Sequence, residues 1–252
     1  MKFASLGSGS EGNSLLVSAG RTHVLMDCGF GLNETISRLA RLGLEPSDLS
    51  GILVTHEHGD HARGVVRMAR KFGLTVWLTH GTWRNLQERD IRVQEISPHD
   101  VFTIGDLEVI PYPVPHDATE PVQFVFGDGQ HRLGVLTDAG CTTPHIESTL
   151  NGCDALVLEC NHDRDMLQNG NYPPSLKQRV GGRLGHLSNE QAACILARLE
   201  TGRLQHLLAA HLSAQNNQPV LAVNALSSAI GCAPDWIGVA TQSGGFDWRE
   251  IC

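Results

Sequence analysis

The 252-residue chain has no run of about 18 uninterrupted apolar residues, so no segment is expected to span a bilayer. Its opening residues, MKFASLGSGS, carry one lysine and no apolar h-region, and do not read as a secretory signal. It has no C-x-x-C pair, and its seven cysteines are an odd number, so reduced thiols and a cytoplasmic location are expected. Cys28, Cys141 and Cys160 stand beside candidate site residues and read as small buried hydrophobes. Basic excess is also missing. A formal net charge of −8 excludes an overall nucleic-acid-coating surface. It does not exclude nucleic acid as substrate, because metal ions and a local patch supply positive field. Low-complexity linkers and internal repeats are absent, which predicts one domain over residues 1–252.

What is present is a regular interleaving of strands and helices. KFASLG, SLLVSA and THVLMD read as short strands joined by the Gly-rich turns SGSEGN and AGR. A helix is predicted from Asn33 to about Leu42, closed by Gly43, and SGILVT reads as a buried strand. From Ala62 the pattern turns helical, with Val65, Met68, Ala69 and Phe72 on one face and Gly73 as the stop. Strands return at TVWLT, VFTIG, LEVIPYPV, VQFVFG, HRLGVLTD and DALVLE. Ser188 and Gln191 form a capping box for a helix with Ala192, Ile195, Leu196 and Leu199 on its apolar face. LQHLLAAH, a helix near VLAVNALSSAI and the strand WIGVA complete the series. The alternation predicts an α/β fold: a four-layer αββα sandwich of two mixed sheets flanked by helices.

The densest chemistry lies in THEHGDH, residues 55–61, directly after the apolar run GILV. Packing gives a strand exit no use for three imidazoles and a carboxylate. A tight turn aims His56 and His58 at one point and Asp60 and His61 at another nearby. Their donors suit zinc, iron or manganese. His116 ends YPVPH, Asp138 ends GVLTD and His211 ends LLAAH, each a strand running out into a polar residue. One bridging aspartate with histidines completing each side would satisfy two open metal sites, an arrangement that clamps the attacking and leaving oxygens of a hydrolysis. His23, His80, His99, His131, His145 and His206 have no such partners and are left outside the site.

LMDCG, THEHGDH, His116, TDAG and AAH, in this order over nearly the whole chain, resemble the metallo-β-lactamase superfamily. The resemblance implies the αββα fold and two divalent ions, zinc first with manganese or iron(II) as alternatives. It implies His56, His58 and His116 on one ion, Asp60, His61 and His211 on the other, Asp138 between them, and Asp27 as a brace. SGSEGNS, THEHGDHARG, PHDATEP and ECNHD with YPPSLKQRVGGRLGHLSNEQA are similar to the YycJ-like (WalJ/VicX) branch, a group of metal-dependent hydrolases with exonuclease activity attributed to some members.

Phosphodiesters are the expected substrate class. Asp138 stands where some antibiotic-cleaving relatives use cysteine, and Glu159 and His186 resemble the glutamate and helix-preceding histidine of tRNase Z-like nucleases. The implied chemistry is attack by a hydroxide held between the metals. His186 is then expected to protonate the leaving oxygen, Glu159 to orient His186, and Asp60 to help take the proton of the water. Substrate contacts are expected from His162, Lys177, Arg179 and Arg183, and from Ser8, Ser10 and Asn13 in a Gly/Ser loop whose N–H groups suit an anion. The partner is therefore nucleic acid or a small phosphodiester, with no membrane, and a homodimer is compatible with the sequence. Two rivals stand beside the exonuclease reading: a hydrolase of small phosphodiesters or cyclic nucleotides, and a metal-binding regulatory protein with incidental activity.

Overall fold

A computed structural model describes residues 1–86 and 90–252. Six strands come first: β1 Lys2–Gly7, β2 Ser14–Ala19, β3 Thr22–Met26, β4 Gly51–Leu53, β5 Thr75–Thr79 and β6 Arg92–Ile96. They are followed by β7 Phe102–Ile104, β8 Leu107–Pro113, β9 Val122–Gly127, β10 Arg132–Leu136, β11 Ala155–Glu159, β12 His206–Ala210 and β13 Gly238–Val239. The last strand, β14 Phe246–Glu250, returns to pair with β1. Among the described residues these form two seven-stranded sheets, ordered β14-β1-β2-β3-β4-β5-β6 and β13-β12-β11-β10-β9-β8-β7. In the first sheet pairing is antiparallel from β14 to β3 and parallel from β3 to β6. The second repeats this plan, antiparallel from β7 to β10 and parallel from β10 to β13.

The layering follows from side-chain alternation. Successive residues of a strand point to opposite faces. Leu15 and Val17 of β2, Phe124 and Phe126 of β9, and Ala155 and Val157 of β11 meet in the core between the sheets. Their neighbours turn outward: Leu16 packs beneath the helices of the first sheet, and Val125, Leu156 and Leu158 beneath those of the second. Both faces are covered, so these strands are apolar almost throughout, as parallel-containing sheets require. The helices are α1 Leu32–Arg41, α2 Gly59–Ala62, α3 Val65–Phe72, α4 His80–Leu86, α5 Pro144–Leu150, α6 Arg164–Asn169, α7 Pro174–Val180, α8 Asn189–Leu196 and α9 Pro219–Ile230. Leu39, Val65 and Met68 cover the first sheet, whereas Ile146, Ile195, Leu196 and Leu226 cover the second. No helix of the described residues is long and apolar enough to cross a membrane.

The αββα arrangement agrees with the expectation from sequence; several element boundaries do not. The helix expected from Ala62 is two pieces, α2 and α3, broken at Gly64, where an added Cβ would lie 2.2 Å from the Phe30 carbonyl oxygen. SGILVT forms a strand only over Gly51–Leu53, because the chain leaves the sheet to build the histidine turn. β6 and β14 carry no clear apolar run: both are edge strands with exposed polar positions.

Phe124 lies at the centre of the core between the sheets and is fully buried. Phe124→Ala is expected to lower unfolding free energy by about 3–5 kcal/mol. Val101→Ala, at a side chain 54% exposed, is expected to change it by less than about 0.5 kcal/mol. Urea denaturation midpoints measure both, and equal effects would contradict this account of the core.

Candidate metal centre

The parallel strands deliver the site. Register places Leu53 opposite Met26, and Glu159 opposite Ala210, so Asp27 and the 55–61 turn leave one sheet where Asp138, Glu159 and His211 leave the other. Three of these residues, Asp27 (φ 61°), Asp138 (φ 51°) and His211 (φ 55°), are the non-glycine residues with positive φ among those described. Each directly follows or closely follows a strand and turns the chain sharply. Non-glycine residues in this region cost about 1–3 kcal/mol each, so the surroundings must hold them there. They do. Asp27 N donates to Leu53 O at 2.7 Å, and its carboxylate accepts from Thr55 N at 2.8 Å and Thr55 Oγ1 at 2.9 Å. His211 N donates to Ser8 Oγ at 2.9 Å. After Asp138, Ala139 N donates to Glu159 Oε2 at 2.9 Å.

The THEHGDH turn is clamped by loops before it in sequence. Asn13 N donates to Asp60 O, and Cys28 N to His61 O, each at 2.8 Å. Gly29 makes this approach possible, since a Cβ there would lie 1.8 Å from Asp60 O. Glu57 points the other way and accepts from Thr119 N at 2.8 Å, tying the turn to the loop that carries His116.

Two groups of donor atoms result. His56 Nε2 and His116 Nε2 lie 3.1 and 3.3 Å from His58 Nδ1. Asp60 Oδ2 lies 3.5 Å from His61 Nε2 and 3.6 Å from His211 Nε2. Asp138 stands between them, with Oδ2 3.0 Å from His61 Nε2, and Oδ1 3.4 Å from His211 Nε2 and 4.0 Å from His116 Nε2. Several rings are held by the nitrogen that faces away from the cluster. His56 Nδ1 is 2.9 Å from Thr55 Oγ1, His61 Nδ1 2.8 Å from Asp27 Oδ2, and His116 Nδ1 3.0 Å from Gly185 O. Such outer partners fix ring orientation in metal sites. Asp138 Oδ2 and His211 Nε2 are buried yet make no hydrogen bond. Burying polar atoms without partners is costly, and a cation fits this donor set of imidazole nitrogen and carboxylate oxygen.

Charge is distributed unevenly over these groups. Burial disfavours ionisation of Asp60 and Asp138, but the nearby His211 and His61 outweigh it and hold both carboxyls well below the usual range. Burial likewise disfavours protonated His211, yet Asp138, Asp60 and Glu159 push it up to about 10. His61 is raised in the same way, by Asp138 and Asp27 against its own burial. His56 and His116 are lowered, by burial first and by neighbouring imidazoles.

Beside the cluster, His186 Nδ1 lies 2.8 Å from Glu159 Oε1, while Glu159 Oε2 accepts from Ala139 N and from Leu187 N. Glu159 is fully buried; burial opposes its charge, but His186 draws its pKa down to about 2. The His186 ring stacks on His211 with centroids 5.2 Å apart, and Nε2 is left for another partner.

The expected substrate contacts divide. Ser10 and Arg179 line the cavity over the cluster, with His58, Asp60, Asp138, His186 and His211. Arg179 Nε is held by Asp117 Oδ2 at 2.6 Å, and Asp117 Oδ1 lies 3.5 Å from His116 Nε2. Ser8 and Asn13 are buried and brace the site: Ser8 Oγ bonds Asn13 Oδ1, and Asn13 Nδ2 lies 3.2 Å from His61 Nε2. A free anion cradle at those two residues is therefore corrected to a supporting loop. Lys177 and His162 face a separate groove, and Arg183 is exposed and lines neither cavity. Sequence reading missed Thr55, Glu57, Asp117, Asn161 and Tyr172. Asn161 Nδ2 donates to His211 O at 3.1 Å, and Tyr172 lines the cavity over the cluster. The adjacency of Thr55, Glu57, Asp117 and Asn161 to ligand-type residues was the available signal; for Tyr172 it was its place at the head of YPPSLKQRVGGRLGH. His23, His80, His131 and His206 pair elsewhere, with Ser18, Glu95, Asp128 and Glu250.

Comparison with known proteins identifies the family and agrees with the fold. Residues 22–207 match the family model described as the beta-lactamase superfamily domain. The chain is 37% identical over 235 residues to exodeoxyribonuclease YycJ of Bacillus anthracis, covering 91% of this chain and 89% of that protein. It is 33% identical over 245 residues to exodeoxyribonuclease WalJ of Streptococcus pneumoniae serotype 2 (94% of this chain, 91% of that protein). The fold superimposes on Zn(2+)-bound PqqB from Methylobacterium extorquens with a TM-score of 0.77 at 19% identity, over the full length of both chains. The chain thus belongs to the metallo-β-lactamase superfamily, in the branch that includes the YycJ and WalJ proteins.

Proposed function

We propose that the chain is a metal-dependent exonuclease acting on DNA. The observation that carries the reading is the shared position of Asp138 between His56, His58 and His116 on one side and Asp60, His61 and His211 on the other. The names of the relatives that match over nine-tenths of the chain support the substrate class. His56, His58 and His116 would hold one divalent ion and Asp60, His61 and His211 a second, with Asp138 serving both. Zinc is the first choice for this donor set, and manganese or iron(II) also suit it. Metals bound there supply an activated water and positive charge against the phosphoryl oxygens.

The chain's own groups do the rest. Asp60, 23% exposed at its side chain and lining the cavity over the cluster, would take a proton from the attacking water. Glu159 accepts the Nδ1 proton of His186 and so fixes its ring, and His186 gives a proton from Nε2 to the departing oxygen. Ala139 N and Leu187 N lock Glu159 from both sides, which ties the placement of His186 to that of Asp138. Arg179 reaches the same cavity and offers a guanidinium to a phosphate, in exchange for its exposed bond to Asp117.

End-labelled single- and double-stranded DNA and RNA, with bis(p-nitrophenyl) phosphate beside them, test the reading on metal-loaded protein. Stepwise shortening of DNA is expected, abolished by His58→Ala and slowed about 10²–10⁴-fold by His186→Ala at unchanged metal content. Turnover of the small diester alone, with every polymer intact, would sink the nuclease assignment and favour a small-phosphodiester hydrolase.

The raised pKa of His211 gives a second test. Without metal, His211 carries a proton below pH about 10, and ligation needs its neutral ring. Metal binding at pH 7.5 should therefore release protons, and affinity should rise with pH by about tenfold per unit for each proton released. Titration calorimetry in buffers of different ionisation enthalpy measures the count. Zero proton release would contradict ligation by His211 and His61.

A further inference from the structure

Among the described α-helices, α7 alone has no buried residue. A helix normally earns its place by burying an apolar stripe; this one stands as a wall between two cavities. Leu176, Arg179 and Val180 line the cavity over the metal-type cluster. Pro174, Lys177, Gln178 and Gly181 line a second groove of ~880 Å3 on the other side. At about 100° per residue these two sets lie on opposite faces of the helix.

The second groove is built differently from ordinary surface. His162 forms part of its lining and is only 2% exposed, yet neither ring nitrogen makes a hydrogen bond; Nδ1 is fully enclosed. A Cβ on Gly181 would come within 4.0 Å of His162 Nε2, so the ring lies directly under the end of α7. Gln168 and Gln178 also line the groove, with exposed side-chain amides that have no hydrogen-bond partner among the described residues. Arg164 and Lys177 are the two cations of its lining, facing the carboxylate of Asp165 and, beside Arg164, that of Glu190. Arg164 Nε is 3.2 Å from Ser188 Oγ and 3.5 Å from Glu190 Oε2. That ion pair is exposed, at 63% and 48% of the two side chains, and such pairs are weak enough to yield to a phosphate. Lys177 Nζ donates to Gln168 O at 2.6 Å and keeps two further protons to give.

We propose that this groove is a second strand-binding subsite, which holds a phosphate-bearing nucleotide of the same nucleic acid whose scissile bond lies at the cluster. The inference rests on the nuclease reading and adds to it a place for a nucleotide that is not being cut. Arg164 and Lys177 take the phosphate, while Gln168, Gln178 and the Nε2 of His162 face the sugar and base edge. The wall α7 is about 10–12 Å thick. That spacing corresponds to about three nucleotides of a stacked strand at ~3.4 Å per step. The groove therefore extends the binding surface along the strand, and gives a polymer an advantage over a small diester that fills the cluster alone.

The test uses the metal-loaded full chain and a fluorescent, cleavage-resistant phosphorothioate strand of about 12 nucleotides, within the usual range of site sizes. Gly181→Leu fills the groove beside His162 without adding charge; Arg164→Gln removes one cation. Anisotropy titrations are expected to show Gly181→Leu weakening the strand by about tenfold. Arg164→Gln is expected to weaken it and to reduce the slope of log K against log salt by about 0.7, the value for one lost phosphate contact on a single strand. Turnover of bis(p-nitrophenyl) phosphate should stay within about twofold in both variants. Unchanged affinity and salt slope in both variants would overturn the subsite, even if the wild type shortens DNA. Loss of small-diester turnover in parallel with strand binding would also overturn it, since α7 would then be shaping the cluster itself. Weakened strand binding in a protein whose wild type leaves every polymer uncut would remove the nuclease reading and leave the groove as a nucleic-acid site.

Discussion

Asp27, Asp138 and His211 each hold a left-handed backbone at the exit of a strand, and the site depends on that constraint. A strand continuing straight would carry its last side chain away from the opposite sheet. The left-handed residue turns the chain at once and leaves its own side chain aimed along the edge of the sandwich. None of the three is glycine, so the conformation is maintained by neighbours: Thr55 for Asp27, Glu159 through Ala139 for Asp138, and Ser8 for His211. Backbone strain of about 1–3 kcal/mol at each position is the cost of bringing two sheets' worth of donors to one place.

Electrostatics then binds the supporting groups into one unit. Asp27, Asp60, Asp138 and Glu159 bring four carboxylates close to buried imidazoles. Without a metal, protons on His61 and His211 balance part of that charge, which is why both are raised although burial opposes them. A divalent ion can replace those protons on the same nitrogens. Glu159 belongs to this balance and to the proton-transfer pair at once, since Oε1 faces His186 and Oε2 fixes the residues after Asp138 and His186. Altering Glu159 therefore disturbs orientation and charge together.

The wall α7 shows why part of the site escaped sequence reading. YPPSLKQRVGGRLGH was visible as a basic stretch, but α7 has no fully buried residue, and Leu176 and Val180 are only a short apolar pattern to betray a helix. Its two faces separate Arg179 from Lys177, residues that look equivalent in the sequence and that lie in different cavities. Ser8 and Asn13 show the opposite difficulty. A Gly/Ser loop resembles an anion cradle until its polar atoms are seen to be bonded to His211 N and packed against His61.

By itself, the sequence determined the layer plan and the donor chemistry. Short strands that are apolar almost throughout, interleaved with helices, leave few ways to bury both faces of two sheets, and imidazole and carboxylate groups at strand exits have specific uses. Tertiary structure decided which donors share a point, because Asp138 and THEHGDH belong to different sheets and meet only through long-range packing. It also decided which polar residues support the site: Thr55, Asp117 and Asn161 are ordinary residues until a hydrogen bond across the fold gives each a partner. Local spacing encodes what a side chain can do, whereas its partner is set by how the sheets pack.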